Sequence, residues 1–249
     1  MAADLSGLSG QVTIATDTAE AAQALTSWLT AVVTERVAAT GRCTVALSGG
    51  SSPIALYDDW STPARAEELQ LRRWVVLAVD ERAVPPEDPA SNALLIRTHL
   101  LEPLGPDAPV FWPMEGGAAD LDLAASRYAA QLIEVAGSSS SPLPELDVVL
   151  LGLGDDGHTA SLFPQSEALE VTDRLVVPGR APVAPQRRLT LTYPVLNAAR
   201  HVAFYAPGAS KAAAILATAA GSTPASRVRP RGELRWFLDA DSARELPGS

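Results

Sequence analysis

The segment from Asp147 to Pro164 constrains the fold of this chain more than any other part of the sequence. It joins an apolar run, Asp147–Leu151, to a glycine-rich turn and then to a histidine, His158. An uninterrupted apolar run of this kind is typical of a strand buried on both faces of a parallel sheet. The glycines permit a tight turn and a close approach of the backbone to a ligand. We therefore expect His158 at the carboxyl end of a strand, where open α/β sheets bind ligands.

The composition of the 249-residue chain is that of a globular protein, with 47% hydrophobic and 19% charged residues. Its net charge of −10 argues against a nucleic-acid partner, because such binding relies on clustered Lys and Arg. An anionic small molecule stays compatible with this charge, since a few local cations can dominate the potential of a cleft.

Cysteine usage and the first residues predict a cytoplasmic protein. A single cysteine, Cys43, excludes an intrachain disulfide and fits a reducing compartment. Met1–Ser6 shows neither the basic region nor the apolar core of a signal peptide. No apolar run reaches the about 20 residues of a membrane span. We expect no membrane contact, and a monomer, because no feature indicates an obligate interface.

Strand and helix patterns alternate along the chain, which predicts an α/β fold with a mostly parallel sheet and helices on both faces. We expect one domain over residues 1–249, with Gly137–Pro144 as a surface loop rather than a linker. Asp17 is predicted to cap a first helix ending near Gly41, with Glu20 as capping-box partner. The remaining predicted elements are strands at Thr44–Leu47, Trp74–Val79, Asp147–Leu151, His201–Ala206 and Leu234–Leu238, and helices from Leu121 to Gly137 and from Ser210 to Ala220.

The segment Ser48–Ser52 (Ser-Gly-Gly-Ser-Ser) follows the first of these strands and is a candidate anion cradle. Ser52 is placed to cap a helix whose first residue is Pro53. Two glycines leave backbone N–H groups available to a phosphate, and the hydroxyls add further donors. The Gly-Lys-Ser/Thr ending of a Walker loop is missing, and an ordinary strand-to-helix turn is the alternative interpretation.

Charged residues also follow two later strands. Asp80-Glu81-Arg82 comes after the second strand, where Arg82 can bind a phosphate or carboxylate through paired N–H groups, although a loop salt bridge explains the same residues. Lys211 begins a helix, against the preference of cations for the opposite end, which indicates an anionic partner or a solvated surface lysine.

The turn Gly152–Gly157 matches the dinucleotide pattern G-x-G-x-x-G. We reject a nucleotide site, because Asp155 and Asp156 place two negative charges where a pyrophosphate would lie. Histidine titrates near neutral pH, so His158 is a candidate base for activating water, with Asp156 or another carboxylate orienting its ring. No metal site is predicted, since the other two histidines show no ligand spacing with it.

These motifs occur together in the order found in a known family, and the chain resembles the 6-phosphogluconolactonases. The resemblance implies a Rossmann-like sheet, shared with sugar-phosphate isomerases and deaminases. It implies hydrolysis of 6-phospho-D-glucono-1,5-lactone to 6-phospho-D-gluconate in the oxidative pentose phosphate pathway, without a cofactor or metal. The matching segments cover about residues 45–215: Leu47–Pro53, Asp80–Arg82, Val84-Pro85, Ser91-Asn92, Gly152–Pro164, Arg188–Thr192, Leu196-Asn197 and Lys211.

The resemblance also implies roles for single residues. His158 would activate water and then return a proton to the departing ring oxygen, with Asp156 as the second catalytic residue. Glycine-turn N–H groups or a nearby cation would stabilise the oxyanion. Either Arg187 or Arg188 could face the substrate. The predicted substrate-binding residues are Ser48, Gly49, Gly50, Ser51, Ser52, Asp80, Arg82, Gly154, Gly157, Arg188 and Lys211.

Two other functions stay open at this point. Glucosamine-6-phosphate deaminases resemble the chain at the cradle and at Asp156-Gly-His158, but they carry a glutamate where this chain has Phe163. That glutamate assists the histidine in ring opening, so its absence counts against deamination. A non-catalytic sugar-phosphate-binding protein of the same fold is the second alternative, against which His158 and Asp156 argue.

Overall fold

A computed structural model describes residues 7–136 and 141–247 of the chain. Met1–Ser6, residues 137–140 of the predicted surface loop, and the last two residues lie outside this described part. Ten strands and eight α-helices are found within it. The strands are β1 (Gln11–Ala15), β2 (Cys43–Leu47), β3 (Trp74–Ala78), β4 (Asp80–Arg82), β5 (Val110–Trp112), β6 (Val148–Leu151), β7 (Val176–Arg180), β8 (Arg187–Leu191), β9 (His201–Tyr205) and β10 (Glu233–Asp239). The helices are α1 (Thr18–Thr40), α2 (Ile54–Trp60), α3 (Pro63–Glu68), α4 (Asn92–Ile96), α5 (Leu121–Ala136), α6 (Tyr193–Ala198), α7 (Ala212–Ala219) and α8 (Ala240–Ala243).

Seven of the strands form a parallel sheet in the order β1-β10-β9-β6-β2-β3-β5. Alternate residues of its central strand face opposite sides: Val148 and Leu150 pack into one apolar cluster, and Val149 and Leu151 into the other. Helix α1 covers the first side and α5 covers the second. The predicted α/β class is therefore confirmed, and the apolar run before His158 is buried on both faces because helices lie on both.

A second, three-stranded antiparallel sheet stands beside the first, in the order β4-β8-β7. This sheet was not predicted from the sequence, because Asp80–Arg82 carries three charges and was interpreted as a site or salt-bridge segment in a loop. The chain leaves β3 at Ala78 and enters β4 at Asp80, so the second sheet continues directly from the carboxyl end of the first. Arg82 and Arg188 lie opposite each other in this sheet.

The first helix begins and ends nearly as predicted. The Asp17 carboxylate accepts the N–H of Glu20 at 2.8 Å, and Gly41 ends the helix in the left-handed conformation with a φ of 77°. A capping box requires the Glu20 side chain to accept the backbone N–H of Asp17, and this part of the prediction was wrong. The Glu20 carboxylate instead accepts the backbone N–H and the hydroxyl of Thr16, each at 2.7 Å, one residue before the cap.

Other boundaries differ by a residue or two from those predicted, and the helix expected from Ser210 begins as a 3-10 turn, Ala209–Lys211, before α7. Within the described ranges, no helix combines the length and the apolar character needed to cross a bilayer.

Candidate active site

A cleft of about 210 Å³ opens at the carboxyl ends of β2, β3 and β6. It brings together most of the residues that the sequence analysis singled out, although they lie as far apart in the chain as Ser48 and Lys211. Asp156, Gly157 and Arg188 are the predicted site residues that do not line it. The lining consists of Ser48, Gly49, Gly50, Ser51, Ser52, Pro53, Asp80, Arg82, Asn92, Gly152, Leu153, Gly154, His158, Ala160 and Lys211.

The segment after β2 forms one wall of the cleft. Ser48 is buried, and its hydroxyl donates to the carbonyl of Leu150 at 2.7 Å, which ties the start of the segment to β6. The predicted cap was wrong, because Pro53 takes the cap position and Ser52 makes no capping bond. The chain turns once more before α2, through an Ile54 N–H to Ser51 carbonyl contact of 3.4 Å. Among the described residues, the hydroxyls of Ser51 and Ser52 have no protein partner, so both are available to a ligand.

His158 is held by the carboxylate that the sequence suggested. Its ring Nδ1 lies 2.5 Å from Asp156 Oδ1, and its backbone N–H donates to the same oxygen at 3.0 Å. Burial raises the pKa of Asp156, but the two hydrogen bonds from His158 outweigh it and hold that pKa below its usual value. With Nδ1 engaged, Nε2 is the ring nitrogen available to a water molecule.

Two glycines shape the turn around this histidine, in different ways. A Cβ on Gly154 would lie 2.0 Å from His158 Nδ1, so only glycine leaves room for the ring. Gly157 has a φ of 77°, and a Cβ there would meet Thr223 at 2.3 Å. Gly157 therefore serves the turn and its packing on Thr223, and it is not among the residues that line the cleft.

Phe163 packs against the histidine ring, with 4.3 Å between the ring centroids and a tilt of 35°. The phenyl ring is only 6% exposed, so it belongs to the apolar floor under His158. This is the position at which the deaminase pattern carries a glutamate. The imidazole therefore meets a carboxylate at Nδ1 and an apolar surface on its face.

The two acids after β3 both accept hydrogen bonds from Asn92, Asp80 from its side chain and Glu81 from its backbone N–H. Asp80 accepts from the Asn92 amide at 3.0 Å and from the Ser161 hydroxyl at 2.6 Å. Glu81 accepts the N–H groups of Asn92 and Ala93 at 2.7 Å each, which caps α4. Burial raises the pKa of Glu81 despite these bonds.

The side chain of Asn92 is the contribution to the cleft that sequence reasoning missed. Ser91-Asn92 was named as a segment matching the family, with no role in the site assigned to either side chain. The N-cap of α4 is Ser91, whose hydroxyl accepts the Leu94 N–H at 3.1 Å. The amide of Asn92 instead points back to Asp80. Ala160 was also missed; its left-handed backbone, with a φ of 50°, gave no signal in the sequence.

Cations border the site on two sides. Arg82 lines the cleft and donates to the carbonyl of Ala90 at 2.6 Å. Arg188 is 5% exposed behind it, whereas Arg187 is exposed, so Arg188 is the arginine on the interior side. Within the described residues, Nη1 of Arg188 has no hydrogen-bond partner, and burial followed by the charge of Arg82 lowers the pKa of its guanidinium.

Lys211 completes the positive side of the cleft. Its ammonium lies 2.7 Å from Asp155 Oδ1, and its side chain is 18% exposed against 72% for Asp155. The lysine is therefore fixed at the cleft, and its partner is an exposed carboxylate that an anionic ligand can replace. Together with Arg82, it gives an acidic protein a locally positive site.

An α/β sheet with a histidine–carboxylate pair and cations at its carboxyl edge is an arrangement that suits an enzyme acting on an anionic substrate. The chain belongs to the glucosamine-6-phosphate isomerase/6-phosphogluconolactonase family, whose model matches residues 16–236. A 6-phosphogluconolactonase of Nostoc sp. is 41% identical to it, with 83% of this chain and 85% of the relative covered. The 6-phosphogluconolactonase of Rattus norvegicus is 40% identical, with 83% and 81% covered.

Solved structures agree on the fold. The 6-phosphogluconolactonase from Trypanosoma brucei superposes with a TM-score of 0.83 at 27% identity, covering 96% of this chain and 99% of that one. A monomeric glucosamine-6-phosphate deaminase superposes with a TM-score of 0.77 at 20% identity, covering 94% and 99%. The fold is thus common to lactonases and deaminases, and the side chains of the cleft must distinguish between them.

Proposed function

We propose that this chain hydrolyses 6-phospho-D-glucono-1,5-lactone to 6-phospho-D-gluconate. The observation that carries the proposal is the His158–Asp156 pair at the edge of a cleft whose other walls are Ser-Gly-rich backbone, Arg82 and Lys211. A base beside cations suits an anionic substrate with an electrophilic carbon. The relatives named as 6-phosphogluconolactonases, which match more than four fifths of the chain, support the same reaction.

Substrate binding follows from the charges of the cleft. The phosphate binds at Gly49–Ser52, where free hydroxyls and backbone N–H groups meet the ammonium of Lys211. The phosphate displaces the exposed Asp155 carboxylate from the Lys211 ammonium. Arg82 adds a second positive charge, and the buried Arg188 behind it raises the local potential. The lactone ring then lies beside His158.

The chemical step uses His158 as the general base. Its Nε2 takes a proton from water while the water oxygen attacks the lactone carbonyl carbon. Asp156 stabilises the imidazolium that forms, since its carboxylate faces Nδ1. A donor of the glycine turn or one of the cations stabilises the tetrahedral oxyanion. The C–O bond to the ring oxygen then breaks, and the imidazolium gives its proton to that oxygen.

Deamination of glucosamine 6-phosphate is less well supported. Ring opening of an amino sugar needs a group that assists the histidine, and Phe163 occupies that position with a buried phenyl ring. The Asp156 carboxylate, which contacts His158, is sufficient for a reaction in which one proton is taken from water and then returned.

Four further properties belong to this proposal: the chain acts as one domain over residues 1–249, as a monomer, in the cytoplasm, and without nucleic acid. The net charge of −10 supports the last of these, because nucleic-acid binding relies on an excess of Lys and Arg.

The test is hydrolysis of freshly prepared lactone at near-neutral pH, coupled to excess 6-phosphogluconate dehydrogenase and NADP⁺, with the spontaneous rate subtracted. Wild type should accelerate NADPH formation, and His158→Ala should lower turnover about 10²–10⁴-fold. His99→Ala is the matched control, because His99 pairs with Asp58 on the surface at 2.7 Å.

Each other outcome has a clear meaning. A folded His158→Ala protein with normal turnover would remove the base from this mechanism but keep the activity. No acceleration by wild type would refute the lactonase, and ammonia release from glucosamine 6-phosphate would then be measured.

A further inference from the structure

The carboxylate of Asp80 lies where three parts of the site meet. Its Oδ1 accepts from Asn92 Nδ2 at 3.0 Å, and its Oδ2 accepts from the Ser161 hydroxyl at 2.6 Å. The same Asn92 nitrogen also donates to the Asp80 carbonyl at 3.0 Å. All three residues are at most 7% exposed. Both carboxylate oxygens are thus engaged by the protein itself.

Asn92 connects this carboxylate to the anion-binding wall. Its nitrogen faces two acceptors on Asp80, so its oxygen must point the other way, and there it meets Gly49. A Cβ on Gly49 would lie 1.8 Å from Asn92 Oδ1, which shows how closely the amide is pressed to the glycine backbone. Within the described residues this buried oxygen has no hydrogen-bond partner. A buried acceptor without a partner is unfavourable, so the two bonds that the Asn92 nitrogen makes to Asp80 do not account for this oxygen, which faces the wall at Gly49.

Ser161 connects the same carboxylate to the histidine segment. It stands three residues after His158, and its N–H donates to Thr190 Oγ1 at 3.2 Å. Between them, Ala160 is held at a φ of 50°, a conformation that residues other than glycine rarely adopt. Such a backbone persists only where its surroundings hold it, and the two bonds of Ser161 do so directly after it.

We propose that Asp80, Asn92 and Ser161 are positioning residues that couple the anion-binding wall at Gly49 to His158. The inference rests on the proposed function. The substrate carries its phosphate and its reacting carbonyl on one small molecule, so the rate depends on the spacing between the wall and the base. Asp80 fixes that spacing through Asn92 on one side and Ser161 on the other. This replaces the direct substrate contact predicted for Asp80 from the sequence.

The first experiment separates a positioning carboxylate from one whose charge acts on the substrate. In Asp80→Asn, the amide oxygen can still accept from Asn92 while its nitrogen donates to the Ser161 hydroxyl, so the geometry is retained. We expect kcat/KM within about tenfold of wild type for Asp80→Asn, and a loss of about 10²-fold for Asp80→Ala. Equal, large losses in both variants would overturn the proposal.

The second experiment tests the coupling itself with Asn92→Ala, Ser161→Ala and the double variant. We expect Ser161→Ala to lower kcat while the Kd of inorganic phosphate stays unchanged, and Asn92→Ala to weaken phosphate binding as well. Because both act through one carboxylate, the double variant should be little worse than the poorer single variant. Losses that multiply would show independent sites and overturn the coupling.

Ser91→Ala is the matched control, because it removes a buried hydroxyl next to Asn92 that caps α4 and donates to Glu81 at 3.0 Å but makes no bond to Asp80. It should lower the thermal midpoint and leave kcat and phosphate affinity unchanged. A loss of kcat in this control equal to that in Asn92→Ala would reduce the proposal to a stability effect. Wild type without lactonase activity would refute the proposed function instead, which keeps the two failures apart.

Discussion

Gly154 offers the sharpest test of the histidine geometry, through the substitution Gly154→Ala. The new Cβ would lie 2.0 Å from His158 Nδ1 and 2.1 Å from Cε1, whereas contacts under 3.0 Å essentially never occur. The ring must therefore move by at least about 1 Å from the position that it holds beside Asp156. A misplacement of this size costs about 10²-fold in rate. We expect kcat to fall by about that factor, with the coupled NADPH assay as the measurement.

The control for this prediction is Gly179→Ala in β7. Its Cβ would meet the Ser161 carbonyl at 3.5 Å and other atoms at 3.9 Å, which are ordinary contacts. It should retain normal turnover. Both variants should show a cooperative thermal transition, and the Kd of 6-phosphogluconate should change little in Gly154→Ala. A folded Gly154→Ala protein with kcat within threefold of wild type would refute the argument that the ring position limits catalysis.

Three further predictions concern charge. Asp155→Asn should free Lys211 and lower KM severalfold at low ionic strength. An unchanged KM under these conditions would contradict the idea that Asp155 and the substrate compete for Lys211. Phe163→Glu should favour the imidazolium of His158, so the acid limb of the kcat–pH profile should move to higher pH, whereas Phe163→Leu should leave it in place. Burial raises the pKa of Asp239, but hydroxyl and N–H donors outweigh it and lower that pKa. Its stabilisation is therefore full above the ordinary aspartate range and lost as pH falls through the lowered pKa. Urea unfolding should show an Asp239→Asn deficit at neutral pH that narrows in acid; a constant deficit would contradict this.

The sequence predicted the strands of the large sheet that consist mainly of buried apolar residues, and it did not predict β1, β4, β5, β7 and β8. Val148–Leu151 is recognisable because every side chain is apolar and buried. Strand β1 lies at the sheet edge with mostly exposed or half-exposed residues, and β5 has three residues. Strand β4 consists of charged residues whose strand conformation depends on pairing with β8, more than 100 positions later. Such pairing leaves no local pattern to find.

The same distinction applies to the cleft. His158 and the segment after β2 could be predicted, since each directly follows a buried strand and strand ends meet at one edge. The partnership of Asp80 with Ser161 could not, because it joins residues 81 positions apart. Gly157 was predicted to bind the substrate because of its place in the motif. Its packing against Thr223 could not be predicted, because it depends on a loop far away in the chain. Local patterns therefore placed His158 and Ser48–Ser52 at strand ends, and the contacts that orient these residues came only from the fold.

The shared fold of lactonases and deaminases makes the environment of His158 the deciding feature. A base for lactone hydrolysis must be neutral when water is deprotonated and must then hold the proton until the ring oxygen departs. Asp156 stabilises the protonated form through Nδ1. Phe163 covers one face of the ring, so Asp156 is the carboxylate that contacts this imidazole within the described residues. On the proposed mechanism one such carboxylate is enough, because a single proton is taken from water and then returned. The deaminase pattern carries a second carboxylate at the position of Phe163, and its replacement by a phenyl ring is the physical reason to expect that the site acts on a lactone rather than on an amino sugar.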